Sequence, residues 1–226
     1  MFAEAGAKVA VHGRDAAAAD AVRAGIERTG ACADVFLADV TRFEAIETMR
    51  LKIEERLGPI EILVTNAGGN EFLPPGPVEA IVGAASQATV DANLTATFLT
   101  VKSVLPGMKS RRSGSIITLS SSAARRPTAR SPAPYTAAKG GIELLSQILA
   151  AQAGSFGIRV NSIAPETILT ERNAQRIPKA QQEALAHSHP LERLGTPPDV
   201  AGAALFLASE HSSWITGVVL DVAGGA

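Results

Sequence analysis

Gly114-Ser-Ile-Ile-Thr-Leu-Ser120-Ser121-Ser122 and, a loop later, Tyr135-Thr-Ala-Ala-Lys139 are the stretch that decides how this chain is read. The first part is a short apolar run ending in hydroxyls, the form of a buried strand that reaches the rim of a sheet. The second part sets a phenol and an ammonium four residues apart, which on a helix is one turn and the same face. Tyr135 is the only tyrosine in the chain. A lysine cation beside a phenol favours the phenolate and draws its pKa below the usual value of about 10. Such a group serves as a general acid or base near neutral pH. A nearby serine hydroxyl can hold a carbonyl oxygen. With a hydride carrier, these groups could reduce a ketone or oxidise a secondary alcohol. Alone, the pair would be read as a surface Tyr–Lys neighbour; the elements around it weigh against that.

Outward from this stretch, short apolar runs alternate with helical patterns. Strands are expected at Lys8–His12, Val35–Ala38, Ile60–Thr65, Ser115–Leu119, Ile158–Ile163 and Val218–Val222. Asp15 can cap a helix running to about Thr29. Thr41-Arg-Phe-Glu44 has the form of a capping box opening a helix to Leu57, which Gly58-Pro59 ends. Val90, Leu94, Phe98, Val101, Leu105 and Met108 keep helical spacing, as do Tyr135–Gln152 and Asp199–Ala208. Strands separated by helices imply right-handed crossovers and a parallel sheet covered on both faces. The segment from Thr170 to Pro190 breaks this pattern, being polar, glutamine-rich and interrupted by Pro178.

Composition narrows the function. At 226 residues, with 46% hydrophobic and 19% charged residues, the chain fits a single globular domain, 1–226. A net charge of −1 and a pI near 6.4 give no footprint for nucleic acid. Arg111-Arg112 and Arg125-Arg126 are short pairs read as solvated loop charge. No apolar run is long enough to cross a membrane, and Met1-Phe-Ala-Glu-Ala does not resemble a signal peptide. The single cysteine, Cys32, excludes an internal disulfide, is read as a packing residue and fits a reducing, cytoplasmic setting. His12, His187, His189 and His211 lack metal-ligand spacing, and His187-x-His189 reads as a polar loop pair.

Taken together, Asp39-Val40, Asn66-Ala67-Gly68, Asn93, the Ser121 region, Tyr135/Lys139, Asn161-Ser-Ile-Ala-Pro165 and the tail from Phe206 to Gly225 resemble the short-chain dehydrogenase/reductase family. The resemblance runs the length of the chain and is closest to its 3-oxoacyl-carrier-protein-reductase-like branch. It implies an α/β, Rossmann-like doubly wound parallel sheet with helices on both faces. It also implies Tyr135 as acid/base, with Lys139 lowering its pKa and bonding the nicotinamide ribose. The catalytic serine is Ser121 by strand phase, or Ser122 by the family's interval to the tyrosine; strand register favours Ser121. Asn93 matches the helix asparagine that holds a relay water. Asp39 and Val40 would meet the adenine, and Asn66, Ala67 and Gly68 would let backbone approach the cofactor. Pro165, Thr167 and Thr170 would face the nicotinamide or the phosphates. Glu166 stands where the family usually has glycine. The 170–190 segment would be a substrate lid.

One part of the family pattern has no counterpart. The family opens with a strand and a glycine-rich turn whose amides hold the cofactor pyrophosphate. This chain starts at residues matching the end of the family's first helix, so the central strand and that turn are expected to be absent, leaving two strand edges unpaired. Cofactor choice rests on the end of the Lys8–His12 strand. NAD-users place Asp there; this chain has Gly13 followed by Arg14, whose forked donors suit a phosphate. NADP(H) is therefore favoured over NAD(H). The partners implied are a small carbonyl or alcohol substrate and further copies of the chain, as a tetramer or dimer. A non-catalytic, cofactor-sensing or interaction protein is the competing class. A sugar-nucleotide epimerase on the same fold is disfavoured by the short C-terminal part.

Overall fold

The computed structural model describes residues 1–70 and 76–226. Six strands alternate with helices: β1 (Val9–Gly13), β2 (Ala33–Leu37), β3 (Ile62–Thr65), β4 (Gly114–Leu119), β5 (Ile158–Pro165) and β6 (Val219–Val222). Each matches an expected strand to within a few residues. All strand pairings are parallel.

The central strand β4 shows why the chain folds this way. Five of its six residues are buried. Successive side chains on a strand point to opposite faces, and here each face has its own core. Ile116 joins Val101, Val104, Met108, Leu149 and Val160 on one side. Its neighbour Ile117 joins Ile163, Ala204 and Leu207 on the other. The helices that close these cores are α4 (Ala96–Arg111) and α6 (Ala133–Ala153) on the first side and α9 (Pro197–Ala208) on the second. Each large aliphatic side chain fully buried in this way contributes about 1.5–3 kcal/mol.

The sheet comes in two pieces. β1 pairs only with β2, and β3, β4, β5 and β6 form a separate four-stranded sheet in that order. No pairing joins β1 to β3, so the gap expected between them is present. The free edge of β3 carries Ile62 and Val64, which are 36% and 37% exposed. Helix α1 (Ala16–Glu27) packs on β1 and β2, and α2 (Phe43–Leu57) on the same pair and on α4. Phe36, Met49 and Ile53 form the small core of this half.

Several local expectations need correcting. The Thr41–Glu44 capping box does not form. The N-cap of α2 is Arg42, without a side-chain cap, because the Thr41 hydroxyl donates instead to Asp39 at 2.7 Å. A capping box does form at α9, between Thr196 and Asp199. Cys32 is exposed rather than packed. His189 is not a surface loop residue. It is 3% exposed, its Nδ1 sits 2.6 Å from the Leu185 carbonyl, and its Nε2 has no partner. The 170–190 segment carries two short helices, α7 (Glu171–Arg176) and α8 (Lys179–Ser188). Between α4 and α3 (Gly83–Val90), residues Asp91–Thr95 form a π-helical turn.

Candidate active site

Because β4 and β5 run parallel, their C-terminal ends open on one rim. There the chain leaves β4 through three consecutive serines, each held differently. Ser120 is buried, and its Oγ donates to Glu143 Oε1 at 2.7 Å and to the Lys139 carbonyl at 3.2 Å. Ser121 has extended backbone and caps the one-turn helix α5 (Ser122–Arg125), accepting from the Ala123 amide at 3.2 Å. Ser122 is buried and donates to Glu166 Oε2.

Helix α6 brings the phenol and the ammonium to this rim. Lys139 is 5% exposed. Its Nζ lies 5.6 Å from the Tyr135 ring centroid and donates to the Leu119 carbonyl at 2.7 Å. Burial lowers the lysine to about 8. Burial also raises the phenol, and a hydrogen-bonding contact with the Ser121 hydroxyl partly offsets that rise. The direction for Tyr135 is therefore the reverse of the one expected. The physical reason is the burial of the phenol itself, which outweighs the Ser121 contact. Of the three serines, Ser121 is the one whose hydroxyl reaches the phenol, and Ser122 is committed to Glu166.

Asn93 is fully buried in the π-helical turn. Its Nδ2 donates to the carbonyls of Gly69 and Thr89, both at 2.8 Å, and its Oδ1 accepts from the Gly69 amide at 3.0 Å. Both side-chain donors are used, and the side chain clamps the turn after β3. Gly68, at φ +144°, passes so close that an added Cβ would sit 2.5 Å from Asn93 Oδ1.

The remaining candidates lie along the same rim. Asn66, Ala67 and Gly68 are exposed, and Thr65 behind them has a buried hydroxyl without a partner among the described residues. Asp39 is exposed; hydrogen bonds from the Thr41 hydroxyl and amide hold its pKa down. Val40 is half-buried against the β2 core. Arg14, directly after β1, is exposed. Pro165 ends β5, the Thr167 hydroxyl donates to Glu166 Oε1 at 3.2 Å, and the Thr170 hydroxyl caps α7. Beside Glu166 lies a partly open cavity of about 60 Å³, lined by Thr167, His189, Arg193 and Gly195 among others. It has room for a few waters, not a substrate, and touches none of Ser121, Tyr135 or Lys139.

This rim fits the two ends of a dinucleotide better than its middle. The unpartnered Thr65 hydroxyl, the exposed Asn66–Gly68 backbone and the exposed Arg14 guanidinium can receive polar groups. The N-terminus of α1 is capped by the Asp15 carboxylate, and the pyrophosphate has the poorer cradle among the described residues.

Glu143 was missed in the sequence, although it lies four residues after Lys139 on the same helical face. It binds Ser120 and, at 3.7 Å, Arg125. The contact of Glu166 with Ser122 joins positions 44 apart in sequence and carried no local signal.

The family profile described as Enoyl-(Acyl carrier protein) reductase matches residues 1–226. The chain belongs to the short-chain dehydrogenase/reductase family. Inactive 2-(S)-hydroxypropyl-CoM dehydrogenase 2 of Xanthobacter autotrophicus is 38% identical, over 98% of this chain and 95% of that protein. The crystal structure of a gluconate 5-dehydrogenase from Burkholderia cenocepacia, in complex with NADP and tartrate, is 31% identical with a TM-score of 0.90, covering 99% of this chain and 87% of that one. A 7 alpha-hydroxysteroid dehydrogenase complexed with NADH and 7-oxo glycochenodeoxycholic acid is 33% identical with a TM-score of 0.92, covering 99% and 86%. By family the protein is an oxidoreductase, and its relatives include holders of either nicotinamide cofactor. No helix among the described residues is long and apolar enough to cross a membrane.

Proposed function

We propose that this protein is an NADP(H)-dependent reductase of ketones, or in reverse a dehydrogenase of secondary alcohols. The observation that carries the reading is the half-buried Tyr135, one helical turn from the buried Lys139 and beside the Ser121 hydroxyl. A bound nicotinamide cofactor supplies or accepts the hydride. Ser121 holds the carbonyl oxygen and Tyr135 delivers the proton to it. Lys139 keeps a positive charge beside the phenol, and its ammonium would be the group to hold the nicotinamide ribose. Asn93 fixes the Asn66–Gly69 turn against which the cofactor would lie.

Arg14 supports the choice of NADP(H), because an exposed guanidinium at the end of β1 suits a 2′-phosphate. Asp39 and Val40 would border the adenine, and Pro165, Thr167 and Thr170 the nicotinamide side. The α7–α8 segment would act as a substrate lid over the single 1–226 domain. Phe98, Leu144 and Ile148 expose apolar surface on α4 and α6, which supports a homo-oligomer, tetramer or dimer. The lone cysteine fits a cytoplasmic location.

The test is product analysis. C4-deuterated NADPH and a panel of ketones should give alcohols carrying deuterium on the new carbinol carbon. A second reading, a non-catalytic cofactor-sensing or interaction protein, is favoured by the unpaired edges of β1 and β3. Cofactor binding without deuterium transfer to any ketone would select it.

A further inference from the structure

Glu166 stands at the end of β5, where its side chain is half-buried. One carboxylate oxygen accepts from the buried Ser122 hydroxyl and the other from Thr167. Ser122 is the first residue of α5, and α5 is a single turn that cannot hold its own position. Ser121, its cap, is therefore only as fixed as its neighbours. On one side Ser120 is tied to α6 through Glu143. On the other, Ser122 is tied to β5 through Glu166. The serine that reaches Tyr135 hangs between two carboxylate-anchored serines.

We propose that Glu166 is a positioning residue: through Ser122 it fixes the turn that aims the Ser121 hydroxyl at Tyr135. The inference rests on the ketone-reductase reading of the site. It assigns Glu166 no contact with substrate or cofactor. A glycine here could not make this contact, so the device belongs to this chain's own sequence.

Because Tyr135 is the only tyrosine, its ionisation can be followed directly by tyrosinate absorbance in the protein alone, with folding checked by circular dichroism. Glu166→Ala and Ser122→Ala should each raise the Tyr135 titration midpoint, because the Ser121 contact that favours the phenolate is loosened. Both should lower kcat by about tenfold to a hundredfold, the scale of a misplacement near 1 Å, with KM within about threefold. Glu166→Gln keeps an acceptor for Ser122 and should restore both readouts to near the parent. If Glu166→Ala does not fold, Ser122→Ala breaks the same contact from the other side. An unmoved Tyr135 midpoint in the Ala variants overturns the proposal, as does a Gln variant no better than Ala. If Tyr135→Phe leaves turnover intact, the reductase reading has failed. The titration arm still reports on the Glu166–Ser121 link in that case.

Discussion

Replacing Lys139 by methionine tests the buried ammonium through stability rather than turnover. In the folded protein Lys139 is 5% exposed, makes its hydrogen bond to the Leu119 carbonyl, and titrates at about 8. In the unfolded chain it returns to about 10.5. Between these values the unfolded state binds a proton that the folded state has released. Stability from this group therefore rises with pH across that window, and the burial penalty is felt in full below pH 8. The whole difference is about 2.5 pKa units, or roughly 3 kcal/mol. From about pH 7.5 to about pH 9.5 the parent should gain about 2 kcal/mol relative to Lys139→Met, which has no such group. The raised phenol of Tyr135 keeps its proton in the folded state over this range, and it is present in parent and variant alike, so it does not mask the effect. Urea unfolding at the two pH values, analysed with a shared m-value, reads the gain. Parallel pH profiles for parent and variant would refute the account of Lys139 as a desolvated cation.

Three further outcomes are expected. Arg14→Ala should weaken NADPH binding by roughly tenfold to a hundredfold, the worth of a charged hydrogen bond, and leave NADH binding little changed. Equal losses in a titration of both would show that Arg14 does not read the phosphate. Gly68→Ala places a Cβ against Asn93 Oδ1 at φ +144° and should cost about 1–3 kcal/mol; an unchanged thermal melt would show that Asn93 does not clamp the turn. Light scattering at micromolar concentration should return a multiple of the 23.3 kDa chain mass, and a monomeric mass would leave Phe98, Leu144 and Ile148 unexplained.

The parallel sheet was legible because its signal is periodic. The β4 run is apolar at Ile116, Ile117 and Leu119, and the helices that flank it repeat at helical spacing. The Tyr135–Lys139 pairing was legible because one helical turn fixes it. What escaped the sequence depends on choices among competing hydrogen bonds. Thr41 could have capped α2 and bonded Asp39 instead. Asn93 was read as the family's helix asparagine, but its side-chain bonds to Gly69 and Thr89 have no signature in spacing. The lysine's effect on Tyr135 was read from spacing alone, which says nothing of where the ammonium proton points or how much water both groups lose. His189 looked like a loop residue because the approach of Gly224 from the C-terminal tail has no local signature.

The most direct test of the account is Tyr135→Phe, which removes one hydroxyl and leaves the ring packed. Steady-state reduction of a ketone that the parent turns over should fall by about a hundredfold to ten-thousandfold in kcat, the usual worth of a positioned acid, with cofactor affinity and thermal melting unchanged. A variant that keeps kcat within about threefold of the parent would contradict the assignment of Tyr135 as the proton donor.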